Sequence, residues 1–443
     1  MFEVILMPYD YDASKEPHGV YFLIDNKSFY ASVEAVQRGL NPLKELLVVM
    51  SEQKNTNGGL ILATSPDAKK KYHLTANVSR QRDLPQDEKL IVVPPRMNLY
   101  IKKNLQINDI FRRFVADEDL WPYSIDESIL DMTHSYKLFG QQPQEVAKLI
   151  QHTIRRELGL YVTIGIGENP VQAKIALDVY AKHAPDLIGE IRYDTVPSQI
   201  WTISQLDSVW SIGHRTAAHL ERMGIHTMND LAHHNPYDLT AEMGIIGAQL
   251  FALAWGIDRS QIRKRVKVRE ASLGNSQVLP RDYNDQFEIE TVIKEIGEQV
   301  TARLRHHHKL AGCLSLSIGF SYAAGEQDGR GGFHQSIRID PTDSNKIIVS
   351  HLTNMFRNQW QGQTIRNIAV YTSRLSPNTG QQLDLFSDPQ RQIKNARFEA
   401  IVDAIRDRYG FRAIVFARSI IHGGTAINRA SLVGGHNGGN AYE

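Results

Sequence analysis

Tyr123-Ser124-Ile125-Asp126-Glu127-Ser128 places two adjacent carboxylates at the end of a short apolar stretch. Upstream, a lone acid, Asp25, closes the run Val20-Tyr21-Phe22-Leu23-Ile24. An Asp-Glu pair by itself is more often a solvated turn or a helix start. The apolar residues before both acidic sites point to strand ends instead. Three acids on two such strands are what a two-metal phosphoryl-transfer centre needs, because two Mg²⁺ ions about 3.5–4 Å apart clamp the attacking and leaving oxygens of an in-line displacement. Mg²⁺ suits such a site because it takes one or two carboxylates plus substrate phosphates rather than a full protein cage.

Around these runs, residues 19–200 alternate strand-like and helical stretches. Residues 20–24, 46–50, 90–93, 125–130 and 161–166 read as strands. Residues 29–38, 66–72, 98–114, 143–158 and 171–182 read as helices. That order predicts an α+β sheet with helices packed on one face. The polar stretch Asn55-Thr56-Asn57-Gly58-Gly59 suggests a small subdomain inserted over about residues 40–90. Residues 201–262 are short helices punctuated by Ile212-Gly213-His214, Met223-Gly224-Ile225 and Met243-Gly244-Ile245-Ile246-Gly247. Paired helices on glycine turns present backbone N–H groups that can cradle DNA phosphates. Residues 270–376 read as a small sheet under two helices, 288–305 and 343–360, with strands at 313–320 and 365–371. A C-terminal tail, 377–443, holds Gln382-Leu383-Asp384-Leu385-Phe386 and an amphipathic helix over 393–409, with Phe398, Ile401, Val402 and Ile405 on one face. The glycine-rich end, Gly434 to Gly439, is expected to be mobile. Residues 1–18 form an N-terminal extension.

The chain has 443 residues and a formal net charge of +1, ordinary values for a globular protein of about three domains. One cysteine, Cys313, excludes an internal disulfide framework and fits a reducing cytoplasm. No segment reaches the roughly 18 apolar residues of a membrane span, so no membrane association is expected. Two basic clusters, Arg263-Lys264-Arg265 with Lys267 and Arg269, and Arg303, Arg305 and Lys309, suggest a phosphate-tracking face. His306-His307-His308 lie at consecutive helix positions that diverge in direction, so a polar helix end is favoured over a shared metal.

Asp25-Asn26-Lys27-Ser28-Phe29-Tyr30-Ala31-Ser32-Val33-Glu34 sets an acid at a strand end and then opens a helix. This segment resembles the first motif of Y-family translesion DNA polymerases, the UmuC-like (ImpB/MucB/SamB) branch, and Tyr123 to Ser128 resembles the second. Gly165-Ile166-Gly167-Glu168-Asn169-Pro170-Val171-Gln172-Ala173-Lys174-Ile175-Ala176 is similar to the segment leading into that family's lysine-bearing helix. The resemblance runs in order from about residue 20 to 386. It implies a right-hand polymerase with a palm, small fingers, a helical thumb with helix-hairpin-helix turns and an α/β little finger. It further implies template-directed synthesis of low fidelity past lesions, in the cytoplasm, on primer–template DNA and dNTPs.

By that resemblance Asp25 and Asp126 would ligate both Mg²⁺ ions with help from the Asn26 backbone carbonyl, and Glu127 would hold the catalytic metal beside the primer end. Lys174, Lys69 and Ser65 would contact the triphosphate, and Tyr30 would be the steric gate against a ribose 2′-OH. Gly213, Arg215, Gly244 and Gly247 would meet DNA. Gln382, Leu383, Asp384, Leu385 and Phe386 are similar to the pentapeptide that docks on the bacterial sliding clamp, and UmuC-like proteins often work with a UmuD-like or other accessory protein. Three positions depart from the family's habit. Lys27 stands where many members have a second acid, Lys69 where many have Arg, and Ser211 where a glycine is common, leaving Gly213 to make the turn. Two other classes compete. A catalytically inactive DNA- and clamp-binding accessory protein would not need Asp25, Asp126, Glu127 and Lys174 together, and a nucleotide cyclase would not need the glycine hairpins.

Overall fold

A computed structural model of the chain describes residues 13–51, 59–264, 271–380 and 388–438. The first strand, β1 (Tyr21–Asn26), leads through Ser28, held in a left-handed turn, into α1 (Phe29–Gln37). The chain then leaves for a small unit of β2 (Leu47–Met50), β3 (Ile61–Thr64), α2 (Pro66–Tyr72) and β4 (Ile91–Val93). Its three strands are ordered β3–β2–β4. Alternation along β2 serves two cores, since Leu47 and Val49 join the main core while Val48 packs with Ile61, Ala68 and Leu74. The expected strands at 46–50 and 90–93 therefore belong to this unit and not to the main sheet.

The chain returns through α3 (Met97–Phe111), β5 (Leu120–Pro122), β6 (Glu127–Asp131), α4 (Pro143–Leu158), β7 (Val162–Gly167), α5 (Pro170–Ile175) and β8 (Ile188–Ile191). The main sheet has the order β5–β6–β1–β7–β8, with β1 central and antiparallel to both neighbours. Phe22 and Ile24 point to one face, into a core with Val146, Ile150 and Ile154 of α4 and Tyr100 and Ile107 of α3. Leu23 points to the other, where it meets Ile129, Ala173, Leu177 and Ala181. Helices thus cover both faces, not one as the order of elements predicted. Gly165 and Gly167 on β7 make this possible, because a Cβ on either would come within 2.4 Å of the Ala173 backbone. The second helix is therefore seated directly on the strand, and the face it covers is the one that carries Asp25.

Five helices follow, α6 (Val196–Gln199), α7 (His214–Arg222), α8 (Met228–His233), α9 (Pro236–Met243) and α10 (Ile245–Ala254), around Leu206, Ile212, Leu220, Leu231, Leu239 and Leu250. At the first hairpin Gly213 does not make the turn. Its φ is −86°, whereas Ser211 takes φ +75°. The serine carries the left-handed backbone that a glycine would adopt without strain. Ser211→Gly is expected to stabilise the folded chain by about 1 kcal/mol, less than the full left-handed penalty because glycine also loosens the unfolded chain. Urea unfolding measures it, and a loss of stability would contradict it.

The next unit comprises β9 (Leu273–Tyr283), α11 (Gln286–His306), β10 (Lys309–Phe320), α12 (Tyr322–Asp328), β11 (Gly332–Thr342), α13 (Asn345–Gln359) and β12 (Ile365–Pro377). Its antiparallel sheet has the order β11–β10–β12–β9, and alternate residues Leu314, Leu316 and Ile318 pack under α11 and α13.

The tail folds back onto this unit through α14 (Pro389–Tyr409) and α15 (Ala426–Arg429), and its closing hairpin of β13 (Leu432–Val433) and β14 (His436–Asn437) meets the first unit. α14 docks by charge and not by the expected apolar face. Arg305 pairs with Asp403 at 2.6 Å and Glu399 at 3.2 Å, Val402 is buried, and Phe398 and Ile401 are exposed. Beyond it, Thr425 N–H donates to Glu295 at 3.0 Å, Tyr283 OH donates to the Gly423 carbonyl at 3.1 Å, and Arg418 pairs with Glu298. Asn98 N–H, in the first turn of α3, donates to the Gly438 carbonyl at 2.8 Å, and Val433 packs on the main core. The described part of the glycine-rich end is thus a docked hairpin, which corrects the expectation of mobility. The basic clusters are corrected in part. Arg305 is committed to α14, and Arg263 pairs with Asp119 at 2.9 Å. Arg265, Lys267 and Arg269 lie outside the described residues. No described helix is long and apolar enough to cross a membrane.

Candidate active site

Asp25 and Glu127 are direct partners across β1 and β6, so both side chains leave the sheet on the same face. Asp126 sits in the turn just before β6, and that turn is pinned from two sides. Asn26 donates to the Asp126 carbonyl through its backbone N–H at 2.9 Å and its side chain at 3.0 Å. Ser124 Oγ donates to Asp126 Oδ1 at 2.7 Å and accepts from the Glu127 N–H at 3.0 Å. Asn26 therefore holds the pair of acids in place, and Ser124, which sequence reasoning passed over, aims one of them. The side-chain oxygen of Asn26 is buried beside the acids without a hydrogen-bond partner.

Lys174, on α5, reaches Glu127 Oε1 at 2.7 Å. Lys182 lies 3.7 Å from Asp25 Oδ2. Burial pushes the Asp25 carboxyl up to about 6; Lys182 offsets part of this, and the neighbouring charges of Asp126 and Glu127 add to it. Burial also lowers the Lys27 ammonium, with Lys182 and Lys69 adding to the effect and Asp25 opposing it, so the departure at Lys27 puts a cation beside the acids. Among the described residues no three Asp, Glu, His or Cys side chains are gathered so as to hold a metal ion by themselves.

The raised Asp25 has a consequence for stability. Between the ordinary aspartate value near 4 and about 6 the folded chain holds this proton more tightly than the unfolded chain does, so stability falls as pH rises through that window. Asp25→Asn removes the ionised group. In the metal-free protein it is expected to raise stability at pH 8 by about 1–2 kcal/mol and to change little near pH 4. Urea unfolding in chelator at the two pH values reads this, and an equal effect at both would contradict it.

Phe29 is core, whereas Tyr30 is half-buried at the edge of the site. Its ring stacks on Tyr100 with centroids 4.4 Å apart and planes at 14°. Tyr100 in turn donates to Glu34 at 2.8 Å, and the fully buried Glu34 carboxylate takes both Arg96 Nε at 2.9 Å and Nη2 at 2.6 Å. Tyr100, Glu34 and Arg96 are the backing that the sequence did not disclose, although Tyr30 and Glu34 sit one helical turn apart. Lys69 is exposed on α2. Ser65 is placed differently from the expectation of a phosphate contact. Its buried hydroxyl donates to the Glu45 carbonyl at 2.6 Å, accepts from Leu47 N–H at 3.0 Å and caps α2, so its one proton is already committed.

Gly213 and Arg215 are exposed at the start of α7. Gly244, at φ +62°, joins α9 to α10, and Gly247 is buried where a Cβ would meet the Leu239 carbonyl at 2.1 Å. Gln382, Leu383, Asp384, Leu385 and Phe386 lie outside the described residues.

Residues 24–178 match the model of the impB/mucB/samB family, and residues 270–385 match the model of that family's C-terminal domain. UvrX of Bacillus subtilis (strain 168), named for UV-damage repair, is 38% identical over 96% of this chain and 99% of its own length. DNA polymerase IV 2 of the same organism is 36% identical over 94% of this chain and 98% of its own. Among solved structures, a Y-family DNA polymerase chimera of Dbh and Dpo4 superposes with a TM-score of 0.65 at 20% identity, covering 81% of this chain and 100% of the chimera. Acids paired across β1 and β6, a lysine-bearing helix on the same face and end-to-end relatives agree: the chain belongs to the impB/mucB/samB family and has the fold of a Y-family DNA polymerase.

Proposed function

We propose that the chain is a DNA-directed DNA polymerase that carries out translesion synthesis by two-metal nucleotidyl transfer. The observation that carries this reading is the placement of Asp25, Asp126 and Glu127 at one end of two paired strands with Lys174 at bonding distance. In it, residues 19–200 form the palm with fingers inserted at about 40–90, 201–262 the thumb and 270–376 the little finger. The residues fit Mg²⁺. Three carboxylates are hard oxygen donors, and Mg²⁺ needs only one or two of them, with substrate phosphates completing its shell. Asp25 and Asp126 would hold both ions, with the Asn26 backbone carbonyl, and Glu127 the one nearest the primer. Bound there, the ions would activate the primer 3′-OH and neutralise charge gathering on the α-phosphate as pyrophosphate leaves.

The chain's own groups position the reactants. Lys174 and Lys69 meet the triphosphate as point charges. Tyr30, rigid against Tyr100, lies under the sugar. The glycine-turn helices at Gly213, Gly244 and Gly247, with Arg215, track the DNA backbone in helix-hairpin-helix fashion, and residues 382–386 dock on the sliding clamp. Leu385→Ala with Phe386→Ala is expected to weaken clamp binding by about 2–4 kcal/mol, as for loss of buried anchors. Titration calorimetry with the clamp checks it, and equal affinity would contradict it. Primer extension on templates carrying an abasic site or a pyrimidine dimer, with Mg²⁺ and four dNTPs, tests the function as a whole. Synthesis past the lesion supports it, and a chain that binds DNA yet extends no primer, damaged or not, overturns it.

A further inference from the structure

The helix that covers the acidic face carries more charge than one phosphate contact at Lys174 requires. Lys174, Asp178 and Lys182 recur every four residues across the junction of α5 with a π-helical stretch, Ala176–Ala181. Lys182 N–H bonds back to the Leu177 carbonyl at 3.2 Å, five residues earlier, which widens the last turn. Short π turns within helices concentrate at functional sites. Here the wide turn ends with Lys182 over the end of β1. An alternating chain of charge results. Glu127 meets Lys174 at 2.7 Å, Lys174 meets Asp178 Oδ2 at 3.3 Å, Asp178 Oδ1 meets Lys182 at 2.7 Å, and Lys182 faces Asp25 at 3.7 Å. Because Asp25 and Glu127 are register partners, the chain closes into a ring.

Each Asp178 oxygen takes one ammonium, so this single carboxylate ties both lysines to the same edge of the site. Lys174 bonds an oxygen of Glu127 and Lys182 faces an oxygen of Asp25, two of the carboxylates given to the metals above. Metal on those oxygens would repel both lysines, yet Asp178 would keep them within a side chain's reach of a polyphosphate. We propose that Asp178 and Lys182 are positioning residues of the nucleotide site: Lys182 stands in as the cation on Asp25 when no metal is bound, and with Lys174 it passes to the triphosphate when metal is. This rests on the metal-binding role given to Asp25, Asp126 and Glu127 above.

The test is Mn²⁺ binding, by electron paramagnetic resonance, to the full chain on primer–template without nucleotide, paired with single-nucleotide insertion kinetics. Lys182→Met is expected to bind Mn²⁺ about three- to tenfold more tightly, because a partly screened competing charge is gone, and to raise the dNTP KM about tenfold with kcat changed much less. Lys182→Arg should restore KM. The near-isosteric Asp178→Asn should weaken Mn²⁺ binding about threefold and raise KM as well, since both lysines then press on the acids. Unchanged Mn²⁺ affinity or unchanged KM in Lys182→Met overturns the proposal. An Asp126→Ala variant that binds Mn²⁺ as well as the unaltered chain places the failure in the metal assignment instead.

Discussion

Replacing Asp126 or Glu127 with alanine is expected to abolish primer extension, by on the order of 10³–10⁵-fold, while primer–template binding survives. The size follows from what the site lacks. In phosphoryl transfer the protein does little covalent chemistry, so rate comes from charge neutralisation and positioning. Asp126 is the acid whose backbone Asn26 pins and whose carboxylate Ser124 aims, and Glu127 is the one directly opposite Asp25. No other described acid is tied into that turn by comparable bonds, so neither loss has a ready substitute. In the proposal DNA is held by the glycine-turn helices at Gly213, Gly244 and Gly247, which include neither acid, so binding should stay near the unaltered level. Rapid-quench insertion with a filter-binding control measures both. Near-normal extension by both variants would remove these acids from the chemistry.

The second large effect is on sugar choice. Tyr30→Ala is expected to raise ribonucleotide incorporation relative to deoxyribonucleotide by about 10²–10³-fold, the scale of a few kcal/mol of lost steric exclusion. A gate discriminates only if its ring cannot retreat. Tyr30 is stacked at 4.4 Å on Tyr100, whose hydroxyl is tied to a buried Glu34 gripped by Arg96. That stack leaves the ring without an easy path away from a 2′-OH. Single-nucleotide insertion of matched rNTP and dNTP pairs reads the ratio, and an unchanged ratio would make Tyr30 a packing residue.

Much of this site could be read from the chain alone, for a physical reason. Asp25 follows an aliphatic run and lies at the end of β1, as read. Glu127, however, opens β6 after a turn over 123–126, so the apolar residues before the acidic pair are not a strand. Antiparallel pairing still sets the end of one strand beside the start of the other. The lysine helix was legible from the helical periodicity over 171–182, and it opens on Pro170. What stayed hidden depends on distant partners or on backbone detail. Nothing local marks Tyr100 as the support of Tyr30, since 70 positions separate them. The π turn before Lys182 has no local signature either. The left-handed Ser211 was misread because composition assigns that backbone to the nearest glycine. The placement of α14 by Arg305, Glu399 and Asp403, and of the terminal hairpin by Asn98, is likewise set by contacts between remote segments. Ser65 carries a second role that its motif position did not disclose, since its hydroxyl caps α2 and bonds the Glu45 carbonyl.

The most direct measurement of the central claim is the Mn²⁺ stoichiometry of the ternary complex, formed with primer–template and a non-hydrolysable dNTP and counted by electron paramagnetic resonance. Two ions per chain are predicted, with at least one lost in Asp126→Ala. A count of one or none, or a count that Asp126→Ala leaves unchanged, would contradict a two-metal centre built on Asp25, Asp126 and Glu127.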